Sequence, residues 1–214
     1  NPIWRVTIDG TIYTNFTLAN LTITSGRVNI YEQANAGYVN MQLINLDQSI
    51  VDININDSVT IELKDSTNTF VPIFGGTITD LAVTINSIGS VDYNQAIQIT
   101  ALGALAKLPK SVTTGVLAKD QDGDQMYALL STLLFATWNA VPAATTWNTF
   151  DPTTQWLDAL NTGLGEIDQP GDYELIPRSS SKTDLYSLCT DIANSAFGVL
   201  YEDANGNIGY ADQT

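Results

Sequence analysis

The chain has 214 residues, of which 44% are hydrophobic and 14% charged. With 23 acidic against 8 basic residues its net charge is −15, and it has no histidine and a single cysteine. That balance argues against a disordered chain, phosphate-backbone binding, docking on an anionic membrane, an internal disulfide, and chemistry that needs histidine as base or metal ligand.

The charged fraction is low for a globular domain, where about a quarter is usual. Asn, Thr, Gln and Ser supply the polarity instead, and such groups are cheaper to desolvate than charges, which suits a surface packed against neighbours. No apolar run approaches the length of a membrane span. The chain opens on Asn1-Pro2 without a methionine and stops soon after a strand pattern near Tyr210. Both ends are therefore expected to belong to a processed or longer product.

Residues 3–9 alternate as a strand, with Trp4, Val6 and Ile8 on one face. Asp9-Gly10 is a two-residue hairpin signal, and 11–14 is expected to return as the partner strand. Leu21 and Ile23 alternate before Ser25-Gly26, after which Val28 and Ile30 resume the pattern. A strand is predicted over 38–46 with Val39, Met41 and Leu43 in step. In the looser stretch 47–57, Val51, Ile53 and Ile55 could pair at a sheet edge.

The stretch 58–102 organises the first half. Val59, Ile61 and Leu63 alternate with polar partners, a turn follows at 65–69, and a second run is broken at Gly75-Gly76 before Ile97 and Ile99 close the pattern. Paired glycines permit a bulge or sharp bend, so this sheet is expected to turn a corner there and curl into a barrel.

Beyond Gly103 the period changes. Residues 104–107 read as a helical turn ended by Pro109. Met126, Leu129, Leu130, Leu133 and Leu134 fall at helical spacing, with Asp122 or Asp124 as N-cap and Pro142 just beyond. Asp151-Pro152 opens another predicted helix, with Trp156, Leu157 and Leu160 as its stripe and Gly163 as its stop. A short strand is expected at 173–176. Ser181 and Asp184 resemble a capping box ahead of a helix carrying Leu185, Leu188, Cys189, Ile192 and Ala193, with Gly198 as its C-cap. Asn205-Gly206 marks a final hairpin.

The fold class read from this order is α+β, mainly β: an N-terminal antiparallel split β-barrel, helices, then a helix plus hairpin. The expected domains are a barrel over 1–113, a helical or irregular insertion over 114–177, and the start of a second α+β domain over 178–214.

Few residues suggest chemistry. Asp120, Asp122 and Asp124 stand at alternate positions before a helix, as in calcium loops. An EF-hand wants glycine sixth and glutamate twelfth; counted from Asp120 those places hold Gln125 and Ser131. A helix-capping acidic loop is the preferred reading, and no metal or cofactor is expected. Asp203, Asn205 and Asn207 repeat the spacing, but the hairpin accounts for them. Glu166 and Asp168 could form a glycosidase pair; two acids in an acidic loop need no such role. Ser179, Ser180 and Ser181 lack a histidine partner. Cys189 lies on an apolar helix face and reads as a small buried hydrophobe. Of the four tryptophans, Trp147 is the one expected in a loop.

Several stretches look familiar together: WRVTIDGTIYTN, LTITSGR, YVNMQLINL, NDSVTIELKD, FGGTITD and IQITALGALAKLPK in the first half, and DLYSLCTDIANSAFGVLYEDANGNIGYAD near the end. Their order resembles the tail hub, or baseplate hub, proteins of tailed bacteriophages. Val59-Thr60-Ile61, Phe74-Gly75-Gly76 and the small-residue strand end leading to Leu105 and Lys107 carry the likeness. The resemblance implies a virion protein without enzymatic activity, assembled in the host cytoplasm. It also implies a ring, commonly a trimer, that joins tail tube to tip or fibre proteins without binding DNA or entering a membrane. Two other classes compete with it. One is a carbohydrate-binding β module using Trp147, Tyr173 and Asp168, and the other a cell-wall hydrolase, which the lack of histidine disfavours.

Overall fold

The computed structural model describes residues 3–14, 16–27, 29, 32–45, 51–88, 92–135 and 164–212. The expected helix at 151–163, Trp138, Trp147, Val28 and Ile30 lie outside the described residues, as do the side chains of Leu133, Leu134 and Glu166. The chain divides into two compact units.

The first unit comprises Asn1–Ser25, Ala36–Gly103 and the turn Ala204–Gly206. Its strands are β1 (Trp4–Ile8), β2 (Thr11–Ile12), β3 (Phe16–Gly26), β4 (Asn35–Asn45), β5 (Ser58–Lys64), β6 (Phe70–Ile88) and β7 (Asp92–Leu102). They form one sheet in the order β2-β1-β5-β6-β7-β4-β3. The β1–β2 turn is as predicted: Asp9 and Gly10 both take positive φ, 46° and 75°, and Ile8 pairs with Thr11.

Alternation places Val6, Ile8, Val39, Met41, Leu43, Val59, Ile61, Ile97 and Ile99 on one face, where they share a single buried core. β3 packs against the same core through Phe16, Leu18, Leu21 and Ile23. Trp4 shares the parity of Val6 but sits at the sheet's margin, 36% exposed. On the opposite face Arg5 stands directly across from Glu62, forms an ion pair with it and lies 4.3 Å over the Phe70 ring. The hydrogen bond from Arg5 holds the Glu62 carboxyl below its ordinary value.

Two expectations change here. Val51, Ile53 and Ile55 do not form a strand; Ile53 is buried in the core while Ile55 is exposed. The alternation there reflects Val51 and Ile53 packing on the core from a connecting loop. No bulge falls on Gly75-Gly76 itself. β6 runs through it, with Thr60 opposite Gly75 and Val59 opposite Gly76. The irregularities flank the glycines: one between Ile61 and Glu62 of β5, which skips Ile73, and one that skips Thr79 against β7. Both skipped residues have side chains, because a bulge does not require glycine.

The second unit comprises Gly26–Asn35, Ala104–Asp203 and Asn207–Thr214. It opens with a 3-10 helix at Ala104–Lys110 that continues through Pro109, where the sequence suggested an end. Then come β8 (Val112–Thr113), β9 (Asp120–Gln121), α1 (Asp122–Phe135), β10 (Leu164–Ile167), β11 (Glu174–Leu175), β12 (Thr183–Asp184), α2 (Leu185–Ser195), β13 (Val199–Glu202) and β14 (Ile208–Ala211). β10, β14 and β13 form a three-stranded sheet, with β10 parallel to β14 and β13 antiparallel to it. β11 pairs with β9, and β12 with β8.

α2 buries Leu185, Leu188, Cys189, Ile192 and Ala193, the predicted stripe. Its N-cap is Asp184, which accepts from Ser187 N at 2.8 Å, so the cap lies three residues beyond Ser181. Its C-terminal left-handed residue is Phe197, φ 56°, not Gly198. Gly198 is needed for a different reason: a Cβ there would lie 2.6 Å from Ala211 O and 2.9 Å from the Tyr210 ring. The last hairpin turns at Gly206, φ 84°, and Asp203 accepts from Asn207 N at 2.8 Å, a closure that accounts for both polar residues.

Candidate functional site

A group of titratable side chains gathers in the second unit, where β10 and β14 run side by side. Ile167 pairs with Tyr210, so the residues just past each strand, Asp168 and Asp212, emerge next to each other. Asp168 N donates to Tyr210 O at 3.0 Å, and Asp212 accepts from Asp172 N at 2.9 Å. α1 brings its first turn to the same place. Asp122 is completely buried; it accepts from the Tyr210 hydroxyl and from Tyr173 N at 2.9 Å, and its own amide donates to Tyr173 O at 2.9 Å.

Close packing of backbone makes this arrangement possible. Gly123 lies against the loop that follows β10, and a Cβ there would be 2.8 Å from the Asp168 carbonyl carbon and closer still to its oxygen. Gly171, φ 81°, leaves room for the Asp122 carboxylate in the same way. Gln169, 3% exposed, donates through Nε2 to Asp124 Oδ1 at 3.2 Å. Asp124 N reaches Pro170 O at 3.3 Å.

Electrostatics follow from crowding acids in a part-dry space. Asp168 is pushed up to about 6, by burial first, then by the charge of Asp212 and a hydrogen bond with it. Asp122 is raised by burial, against the lowering effect of its bonds from Tyr210 and Tyr173. Burial and then the Asp120 charge raise Asp124. The Tyr210 hydroxyl is driven far above its ordinary value by burial and by its bond to Asp122. What this cluster can do is hold a proton near neutral pH.

The sign of the resulting pH dependence is fixed. Asp168 binds a proton more tightly folded, near 6, than at its ordinary 3.8. Its stabilisation is complete below the lower value and is lost as pH rises through the upper one. Between pH 7 and pH 5 the lowered carboxyls, such as Glu62 and Asp184, stay ionised. The melting temperature is therefore expected to rise on acidification from pH 7 to pH 5, measured by calorimetry. Asp168→Asn should raise the pH 7 value and flatten that slope. A melting temperature that falls over the interval, or a slope unchanged in Asp168→Asn, would contradict the assignment.

The three residues of the candidate calcium loop have separate surroundings. Asp120 is exposed on β9, Asp122 is engaged by two tyrosine residues, and Asp124 accepts from Gln169. Among the described residues no group of three or more His, Cys, Asp or Glu side chains is placed to hold a metal ion. Asp168 meets Asp212, a partner the sequence reading did not consider. No strand was predicted over 164–167, so nothing in the sequence pointed to that pairing. Tyr173 packs edge-on to Phe197, with ring centroids 6.3 Å apart. Cys189 is buried, which pushes its thiol up to about 12.

A separate groove of about 390 Å3 runs beside α2, lined by Leu117, Leu175, Ile176, Pro177, Leu188 and Ile192 with Arg178 and Asp191 among its polar residues. Gln125 at its edge is committed to Ala118 O at 2.7 Å. No helix among the described residues is long and apolar enough to cross a membrane.

No known protein family matches the chain. No curated protein matches it either. Solved structures do. The 43 kDa tail protein of prophage MuSo2 from Shewanella oneidensis aligns over 97% of this chain and 52% of its own, with TM-score 0.57 and 10% identity. A tail protein from Neisseria meningitidis aligns over 98% of this chain and 50% of its own, with TM-score 0.58 and 10% identity. A type VI secretion component of E. coli, itself structurally similar to bacteriophage tail proteins, aligns over 98% and 49%, with TM-score 0.52 and 13% identity. The chain has the fold seen in these three proteins and spans about half their length.

Proposed function

We propose that this chain is a structural subunit of a phage-type tail, packed with copies of itself into a ring between the tail tube and the tail tip. One observation carries the reading: the fold matches two tail proteins, one of them from a prophage, over 97% and 98% of the chain. The residues supply a mechanism for a structural role. β1 lies near one end of the sheet order and β3 at the other, yet both pack on one core. The sheet in this reading curls into a split barrel whose rigidity comes from that shared core.

The chain is not an enzyme in this reading. It has no histidine, and among the described residues the carboxyl raised to about 6, Asp168, lies beside Asp212 where β10 and β14 end. A net charge of −15 on a tail component would repel passing DNA phosphates. The partners are further copies, three to a ring, with tube proteins on one side and tip or fibre proteins on the other. The assembled protein resides in the virion after assembly in the host cytoplasm.

Antibody labelling of purified tailed particles tests this. Gold is expected at one end of the tail, where tube meets tip. Particles that carry tails but no label, with the chain recovered only outside them, would contradict it.

A further inference from the structure

Strand β6 outruns its neighbour. β5 pairs with it only from Lys64 opposite Phe70 to Ser58 opposite Thr77, and the loop residues Asn56 and Asp57 bond to Ile78. Among the described residues, 80–88 are paired along one edge, to β7 between Thr100 and Asp92. Among the described residues no strand pairs with their other edge.

The side chains on this overhang continue the core face. Leu81 stands opposite Ile99 and Val83 opposite Ile97, and both isoleucines are fully buried. Leu81 packs at the core's margin, but Val83 is 54% exposed and Ile85 64%. The apolar lining thus runs on past its cover, beside a row of open backbone groups. Natural edges are usually blunted by lysine, proline or bulges. Residues 81–88 contain no charge and no proline, and Asp80 is the single acid of the overhang.

The occupant follows from charge and length. On a chain of net charge −15, two copies approach best where acids are absent. The sheet's two end strands are β2, with 2 residues, and β3, with 11. β2 is too short to cover the overhang. β3 carries no charged residue and has β4 as its one bonded neighbour among the described strands.

We propose that residues 80–88 of β6 pair with β3 of a second copy, continuing the sheet from one subunit into the next. Each copy then offers β6 on one side and β3 on the other, a head-to-tail contact that closes into a ring when the rotation permits. The proposal rests on the self-assembly reading above and names the surface that carries it.

Two variants of the full chain separate the outcomes. Val83→Glu with Ile85→Glu blocks the overhang, and Thr22→Glu with Thr24→Glu places acids at exposed positions of β3. Mass is read by light scattering after size exclusion, with circular dichroism as the check on folding. Wild type is expected as a multimer and each variant as a folded monomer. An equal mixture of the two variants should form a dimer of twice the monomer mass, because one intact β6 meets one intact β3. If the β6 variant loses its sheet dichroism, the β3 variant decides by the same readout. Variants that assemble like wild type, or a mixture that stays monomeric, overturn this contact while self-assembly stands. A monomeric wild type overturns both.

Discussion

Replacing Gly75 and Gly76 together by valine is expected to abolish cooperative folding of the first unit. A Cβ at Gly75 would sit 2.5 Å from Gly206 N and closer still to the Asn205 carbonyl, in the turn Ala204–Gly206 of the same unit. At Gly76 a Cβ would lie 2.8 Å from Phe74 Cζ and closer to Leu102 O. These neighbours are largely backbone, which cannot rotate away as a flexible side chain can. Overpacking of this kind costs on the order of 3 kcal/mol at one site. Two such sites, each with a β-branched side chain, approach the roughly 5–15 kcal/mol that holds a whole domain together. Gly75→Ala alone should lower stability by about 3 kcal/mol. Gly10→Ala is a control with nothing within 4 Å of the new atom but φ 75°; it should cost about 1 kcal/mol. Urea unfolding followed by sheet dichroism measures all three. A double valine variant with a wild-type midpoint would show that the backbone approach is not rigid.

Gly123→Ala is expected to be the most damaging single methyl in the second unit. The new carbon would overlap the Asp168 carbonyl and come 3.0 Å from Pro170 O. α1 would have to withdraw its first turn from the loop after β10. That withdrawal breaks the Asp122 bonds to Tyr173 and Tyr210 and leaves a buried carboxylate without donors. A loss of about 3 kcal/mol or more follows from the clash and the orphaned charge together. Hydrogen exchange should show lost protection at the Asp122 and Tyr173 amides, with β4 and β7 protected as before. Unchanged exchange at those two amides would contradict the packing account.

How legible this was in the sequence depended on the range of the interaction. Period-2 alternation found β1, β4, β5 and β7, because half-buried strands repeat every second residue and the core face of each is set locally. The Asp9-Gly10 and Asn205-Gly206 turns were readable because positive φ favours those residue types. α2 was visible in its stripe, though its cap was misplaced by three residues, since Ser181 and Asp184 are both good caps and only the folded chain selects one.

Long-range features were not readable. Gly75 and Gly76 read locally as a bend, whereas the backbone that comes close to Gly75, at Asn205, is more than a hundred residues away in sequence. The Asp168–Asp212 pair depends on the parallel pairing of β10 with β14, which no local pattern announces. The overhang of β6 reflects where β5 ends, so nothing within 80–88 marks it.

The central claim is that this fold works as a self-assembling structural part. Negative-stain imaging of the wild-type chain, with its mass in solution, tests that most directly. The account predicts closed rings of a few copies around a central opening, with a mass to match. A chain that stays monomeric across the accessible concentration range and shows no rings would contradict it.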